Sequence, residues 1–461
     1  MKLKKEQYPD KGRLNLPALD KEILKFWKDN DIFKKSISLR EGSPAFVFYE
    51  GPPSANGQPG IHHVMARTIK DIFCRYKTLK GFQVHRKAGW DTHGLPIELN
   101  VEKELGITKD DIGTKISVED YNKACRKAVM RFTDEWDKVT EDMGYWVDLD
   151  NPYITYENNY IESCWWILRQ MFDKGLLYKG YTIQPFSPAA GTGLSSHELN
   201  QPGTYQKVKD TTIVAQFNII KDDKSAFLFE GAKGDLGFLA WTTTPWTLPS
   251  NTALAVGKGI KYIQVNTTNP YTGKDISVIG AEGLMPGLLG AKDLDAAKGK
   301  IGGKEIEFEI VRRFKGTDVE GIRYEQLMPY VQPEGEAFRV LIGDFVTTED
   351  GTGIVHLAPT FGADDARVAA QNDIKGILVD YPDGSKGPLV NRKGQFVKEM
   401  GEFAGMYVKN YNEADESDPN YRPTDVLLAI KLKEENKAFK VEKYEHDYPH
   451  CWRTDKPILY Y

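Results

Sequence analysis

Apolar positions recur with distinct rhythms along the chain. Leu19, Ile23, Leu24 and Trp27 fall at helical spacing and predict a helical arm within residues 1–40. Ala45 to Tyr49 (AFVFY) is a short apolar run that reads as a buried strand. A loop rich in Gly and Pro follows, from Gly51 to Gly60. Ile61, Met65, Ile69, Ile72 and Tyr76 then mark one face of a helix, which Gly81 stops. Phe82 to Ala88 reads as a second strand. Strand, loop, helix and strand make a βαβ unit, and that unit implies a parallel sheet.

Ser117 is placed to cap the next helix, whose apolar face is Tyr121, Ala124, Ala128, Phe132, Trp136 and Val139, with Gly144 beyond its end. A further helix runs through Tyr160, Cys164, Trp165, Leu168 and Phe172 towards Gly175. From about Tyr181 to Met406 helical periodicity fades. Short β-like runs take over, among them 212–219, 238–243, 262–265 and 306–312, parted by Gly, Pro, Asn and Asp. A helix is predicted over 424–437, and 458–461 is again strand-like. No internal repeat is visible. The division read from this is a helical arm (1–40), an α/β segment with a parallel sheet (41–185), a β-rich insertion (186–405) and a final segment (406–461).

Composition narrows the class. The chain has 461 residues, 40% hydrophobic and 28% charged, which is ample material for packed cores and excludes a disordered chain. The formal charge of -5 offers no global basic surface, so any RNA contact is local. Cys74, Cys125, Cys164 and Cys451 are scattered, with no C-x-x-C pair, which suits a reducing, cytoplasmic setting. The start, Met1 to Glu6, is charged and lacks an apolar run, so no signal peptide is expected. The uncharged run 236–257 holds two prolines, an asparagine and five threonines, so it reads as strand and loop and no membrane is expected.

Two loops carry candidate chemistry. Glu50-Gly51-Pro52-Pro53 leads to Gly60-Ile61-His62-His63 at a helix start, where free N–H groups and the helix dipole favour phosphate and histidines can donate to its oxygens. The bland alternative is a Gly/Pro loop with two satisfied or exposed histidines. The second strand leads into GWDTHGLPIE (Gly89 to Glu98), at the same carboxyl edge of the sheet. Asp91 there can hold a substrate ammonium, or serve only as a turn residue or cap. Together these loops resemble the catalytic start of class I aminoacyl-tRNA synthetases, in the isoleucyl rather than the leucyl (GWDAFGLPAE) or valyl (GTDHAG) form. GPPSANGQPGIHH, YIESCWWIL, WTTTPWTLPSN, GTGIVHLAP, FAGMYVK and YPHCWR match blocks of that family in order, across essentially the whole chain.

The resemblance implies a Rossmann-like parallel-sheet domain, incomplete here, interrupted by a β-rich editing domain. It implies activation of isoleucine by ATP with Mg2+, transfer to tRNA(Ile), and hydrolysis of valyl-tRNA(Ile). Gly51 and Pro52 would lie against isoleucine, Asp91 would take its ammonium, and Gly60, His62 and His63 would meet ATP. The family's H-x-G-H signature is displaced: Gly60 stands for its first histidine and His62 for its glycine. A KMSKS-type loop and an anticodon-binding domain are not found, so the chain is expected to be an N-terminal portion, monomeric as a full-length protein. The alternatives are a valyl or leucyl enzyme, a free-standing hydrolase of mischarged tRNA, and a non-catalytic nucleotide- or RNA-binding module.

Thr242-Thr243-Thr244 can be the solvent face of a β-edge, and Asp364-Asp365 a cap and first helical turn. Under the resemblance they become an editing pocket. Thr242, Thr243 and Thr244 would surround the tRNA 3′ adenosine and a water, Asn251 would belong to the same editing block, His356 would bound the amino-acid side chain, and Asp365 would anchor its ammonium. The need is physical: one missing methylene is worth only about 1–3 kcal/mol in an apolar pocket, a limit for which these enzymes are the standard illustration. Where relatives carry C-x-x-C this chain has Ser187-Pro188-Ala189-Ala190, so no zinc is expected, and His450 beside Cys451 reads as structural.

Overall fold

The computed structural model describes residues 13, 15–180, 182–411 and 421–461. The charged start at Met1 to Glu6 lies outside them. The chain divides into two compact units, 1–179 and 180–461.

The first unit opens with α1 (Leu16–Asp29), capped by the Asn15 side chain, and α2 (Ile32–Ser38). A three-stranded parallel sheet follows, β1 (Ala45–Tyr49), β2 (Gln83–Trp90) and β3 (Asp148–Ile154), in that spatial order. The predicted βαβ unit is therefore present, with α3 (Ile61–Leu79) as its crossover. The stripe Ile61, Met65, Ile69, Ile72 and Tyr76 is exposed, and the residues α3 buries are Arg67, Cys74 and Thr78. α4 (Leu95–Leu105) begins after the β2 loop.

The single helix expected across 121–139 is two. α5 (Val118–Val129) is capped by Ser117, as its sequence predicts, and α6 (Thr133–Asp142) restarts after a break. At the break Phe132 N–H donates to the Ala55 carbonyl at 3.1 Å, so the interruption is where the chain turns to hold the loop after β1. α7 (Asn158–Asp173) carries Trp165, Trp166 and Phe172 exposed.

In the second unit β4 (Pro185–Ser187) and β5 (Thr192–Gly193) open a small sheet. A six-stranded mixed sheet is built from β6 (Tyr205–Asn218), β7 (Asp235–Thr242), β9 (Lys261–Thr268), β10 (Asp275–Ala281), β13 (Glu309–Lys315) and β18 (Ala438–Pro449), in the order β13-β9-β10-β7-β6-β18. β14 (Arg339–Ile342), β8 (Ala253–Val256) and β15 (Ile354–Leu357) form a second sheet, and α8 (Ala363–Gln371) follows β15. Two hairpins, β11–β12 (Lys298–Ile301, Lys304–Glu307) and β16–β17 (Val379–Asp380, Lys386–Gly387), flank these. The run 306–312 is thus broken at Phe308, between β12 and β13. α9 (Thr424–Glu434) buries Leu428, Ala429 and Leu432 in the unit's main core, beside Ile213, Phe238 and Trp246. β18 runs antiparallel along β6 as the sheet's edge, and β19 (Leu459–Tyr460) pairs with β4. No helix among the described residues is long and apolar enough to cross a membrane.

Candidate functional site

In the first unit the chemistry gathers at the carboxyl ends of the parallel strands. A cleft of about 420 Å³ is lined by Gly51, Pro52, His63, Arg67, Lys70 and Trp136, among others. Glu50, at the end of β1, is 4% exposed and ties the site together. Its carboxylate accepts from Lys70 Nζ at 2.7 Å and from the Tyr145 hydroxyl, and Arg67 Nε lies 3.9 Å away. Burial pushes the Tyr145 phenol well up, and its bond to Glu50 adds to that. Lys70 and Arg67 are thereby held over the loop that carries Gly51 and Pro52.

Gly60 caps α3 with its backbone, and its N–H donates to His63 Nδ1 at 2.9 Å. A ring nitrogen that accepts a backbone N–H is bare, so a neutral His63 carries its hydrogen on Nε2. Burial, then the neighbouring His62 and Arg67, hold the His63 pKa below the usual value, which favours that neutral form. The His63 ring meets Trp136 edge-on at 4.6 Å and His62 at 3.8 Å, and His62 is exposed. Trp136 also takes Arg67 over its face at 4.8 Å and donates Nε1–H to the Gly57 carbonyl at 2.8 Å.

Asp91 stands on the adjoining loop. Its N–H donates to the Pro53 carbonyl at 2.9 Å, which joins the loops after β1 and β2. Its carboxylate is exposed and accepts the His93 N–H at 3.5 Å. Thr92 locks the same loop to Thr155 after β3, at 3.0 Å from its N–H and 2.8 Å between hydroxyls. Gly89 is required here: a Cβ would meet the Tyr153 ring at 2.5 Å, and Tyr153 donates to the Glu50 carbonyl.

The second unit joins its threonines to His356. Thr242 Oγ1 accepts the Thr244 N–H at 3.1 Å and lies 3.2 Å from Thr244 Oγ1. Thr247 donates to the Thr244 carbonyl at 2.9 Å and sits 3.1 Å from His356 Nε2. With its one hydrogen so used, Thr247 accepts from His356, which puts the imidazole hydrogen on Nε2 and leaves Nδ1, buried and unpartnered, as a free acceptor. Burial lowers the His356 pKa to about 4, so the ring is neutral near pH 7. Asp365 Oδ2 accepts the Ala358 N–H at 2.8 Å, just past the end of β15, and burial pushes its carboxyl up to about 6. Thr243 is half-buried between its neighbours. Asn251 is apart from this cluster: its amide donates to the Ala253 and Leu357 carbonyls and accepts from Tyr324, so it staples β8 to β15. Gly353 takes φ +70 and packs where a Cβ would strike Ala281 at 2.4 Å.

Arg67 and Lys70 were not among the residues singled out by sequence, and Glu50, Trp136 and Thr247 stood there only as a loop flank, part of an apolar helix face and part of the threonine block. Arg67 and Lys70 were within reach, because 63, 67 and 70 share one helical face. Nothing local signals that Trp136 or Thr247 faces a site. Among the described residues no group of three or more His, Cys, Asp or Glu side chains is placed to hold a metal ion. Ser187 and Cys451 are buried, and His450 Nδ1 lies 2.9 Å from the Tyr448 carbonyl.

Residues 22–417 match the family model for tRNA synthetases class I (I, L, M and V). Among curated relatives, an isoleucine–tRNA ligase of Cytophaga hutchinsonii is 60% identical over 97% of this chain and 41% of its own length. The isoleucine–tRNA ligase of a Bacteroides fragilis strain is 55% identical over 99% of the chain and 41% of its length. That of Clostridium tetani is 42% identical over 98% and 38%. The chain thus spans about two fifths of the length of the curated relatives it matches. With a Gly- and Pro-rich loop feeding a helix start at the carboxyl edge of a parallel sheet, and a family match over most of its length, the chain belongs to the class I tRNA synthetases.

Proposed function

We propose that the chain carries the amino-acid-activating start and the editing site of an isoleucine–tRNA ligase. Isoleucine and ATP, as its Mg2+ complex, react to isoleucyl-adenylate and pyrophosphate, and the isoleucyl group then passes to a terminal hydroxyl of tRNA(Ile) with release of AMP. Gly51 and Pro52 bound the amino acid, and the exposed Asp91 carboxylate takes its ammonium. The isoleucine carboxylate attacks the α-phosphorus. Neutral His63 donates Nε2–H to a phosphate oxygen as charge builds there, and Arg67 and Lys70 face the leaving pyrophosphate. His62 and the α3 N-terminus at Gly60 supply further donors.

In the second unit, Thr242, Thr243 and Thr244 orient the terminal ribose and a water, His356 limits the side chain, and Asp365 anchors the ammonium of valyl-tRNA(Ile). Asn251 acts by holding the two strands beside the cluster. The observation that carries this reading is the threonine–histidine cluster, linked at 2.9–3.2 Å, in a chain whose curated relatives are named isoleucine–tRNA ligases. The test uses the full-length protein: isoleucine-dependent pyrophosphate exchange together with deacylation of valyl-tRNA(Ile). Deacylation without exchange would instead identify a free-standing hydrolase, and neither activity would leave a binding module.

A further inference from the structure

A buried ion pair lies against the turn that carries the threonines. Asp425, in the first turn of α9, is 5% exposed, and its Oδ1 accepts the Trp246 N–H at 2.9 Å. Trp246 is the second residue of the 3₁₀ turn Pro245–Ser250, which begins directly after Thr244. Pro245 has no N–H to offer, so that of Trp246 is the first donor of the turn, and such a buried donor needs an acceptor. The other Asp425 oxygen faces Lys409 Nζ at 3.5 Å. Lys409 is 9% exposed, pairs with Asp210 at 2.7 Å, and lies over the Tyr448 ring at 4.7 Å. His446 Nε2 closes the network on Asp210 at 3.2 Å.

A carboxylate this deep is costly: burial pushes Asp425 up to about 6 against the pull of Lys409. An apolar side chain would pack the start of α9 at less cost, but it would leave the Trp246 N–H unpaired. The turn that this bond fixes also carries the Thr247 hydroxyl, which donates to the Thr244 carbonyl and holds His356. A shift at Trp246 therefore moves the threonines and the imidazole's partner together.

We propose that Asp425 is a positioning residue for the threonine–histidine cluster, pinning the Trp246 N–H while Lys409 pins the carboxylate. The role rests on the editing reading above, so the test carries one readout that is independent of it. In the full 461-residue chain, Asp425→Ala is expected to lower kcat for valyl-tRNA(Ile) deacylation about 10–100-fold, since the threonines that orient the ribose and the water lose their fixed placement. Hydrogen exchange across 242–250 is expected to quicken in the same variant, by about tenfold or more. The double variant Asp425→Asn with Lys409→Met keeps an acceptor for Trp246 and removes both buried charges. It is expected to restore kcat and exchange to about the parent values. Parent kcat or parent exchange in Asp425→Ala overturns the proposal. Should Asp425→Ala lose its native circular dichroism, the double variant decides: parent kcat with slow exchange supports the role, and loss of both overturns it. A parent chain that shows the exchange pattern but cleaves no valyl-tRNA overturns the editing reading instead, and leaves the tether standing.

Discussion

Under the proposed function, Asp91 and His63 take different roles at the first site because their surroundings differ. Asp91 is exposed, and among the described residues no cation pairs with its carboxylate, so an incoming ammonium is the partner proposed for it. Asp91→Ala in the full-length protein is expected to abolish isoleucine-dependent pyrophosphate exchange with the circular dichroism spectrum unchanged. Near-normal exchange would remove Asp91 from the site. In the proposed reaction His63 meets the developing charge, so His63→Ala is expected to lose kcat about 10²–10³-fold with little change in KM for isoleucine. A change confined to KM would contradict a transition-state role. At the second site Asp365 has a folded pKa of about 6, raised by burial above its unfolded value. Its proton thus favours folding below about pH 4, and that stabilisation is lost as pH rises through about 6. Asp365→Asn removes the charge yet keeps an acceptor for the Ala358 N–H. It is expected to raise the Tm at pH 8 by about 2–5 °C and leave it unchanged at pH 3.5, while valyl-tRNA deacylation is lost. Equal melting curves at pH 8 would show that the charge is better solvated than its burial indicates.

At the scale of elements, the loop after β1 is held from behind by the break between α5 and α6. Phe132 N–H and Trp136 Nε1–H reach the carbonyls of Ala55 and Gly57, and the Trp136 ring supports His63 and Arg67. Trp136 is 2% exposed, so Trp136→Ala is expected to cost about 3–5 kcal/mol in urea unfolding. Trp136→Phe keeps the ring but frees the Gly57 carbonyl. That variant is expected to fold and to weaken ATP use more than isoleucine binding, read as the KM for each in pyrophosphate exchange. An effect on isoleucine alone would place the loop's function elsewhere.

At the scale of the molecule, each unit has its own core, and the threonine–histidine cluster lies wholly within 180–461. That unit alone is expected to deacylate valyl-tRNA(Ile) and spare isoleucyl-tRNA(Ile). A piece cut at 186–405 would strip β18 from the edge of β6 and take Leu428, Ala429 and Leu432 out of the core. A bare β6 edge invites strand pairing between molecules, so the shorter piece is expected to aggregate in size-exclusion chromatography where 180–461 elutes as a discrete species. Comparable behaviour of the two pieces would show that β18 and α9 are dispensable to the unit.

Local pattern determined much of this protein. The AFVFY run, the Gly/Pro loop and the GWDTHGLPIE block are contiguous, and contiguous residues dictate a strand, a turn and a helix start through their own backbone preferences. The motif blocks placed the chain in its family for the same reason, and brought Thr242, Thr244, His356 and Asp365 into view. What stayed hidden depends on residues far apart in sequence. The α5–α6 break is invisible because the apolar stripe keeps its phase across it, while at the break the Phe132 N–H goes to Ala55 and not to the preceding helical turn. The apolar stripe of α3 shows a face but not which face is covered, and here the covered one holds Arg67. Glu50 meets Tyr145 across 95 residues, Thr247 meets His356 across 109, and Trp246 meets Asp425 across 179. Such contacts exist only once packing has removed water from both partners. A buried N–H or carboxylate takes whichever complementary group the fold delivers, and tertiary structure alone decides which group that is.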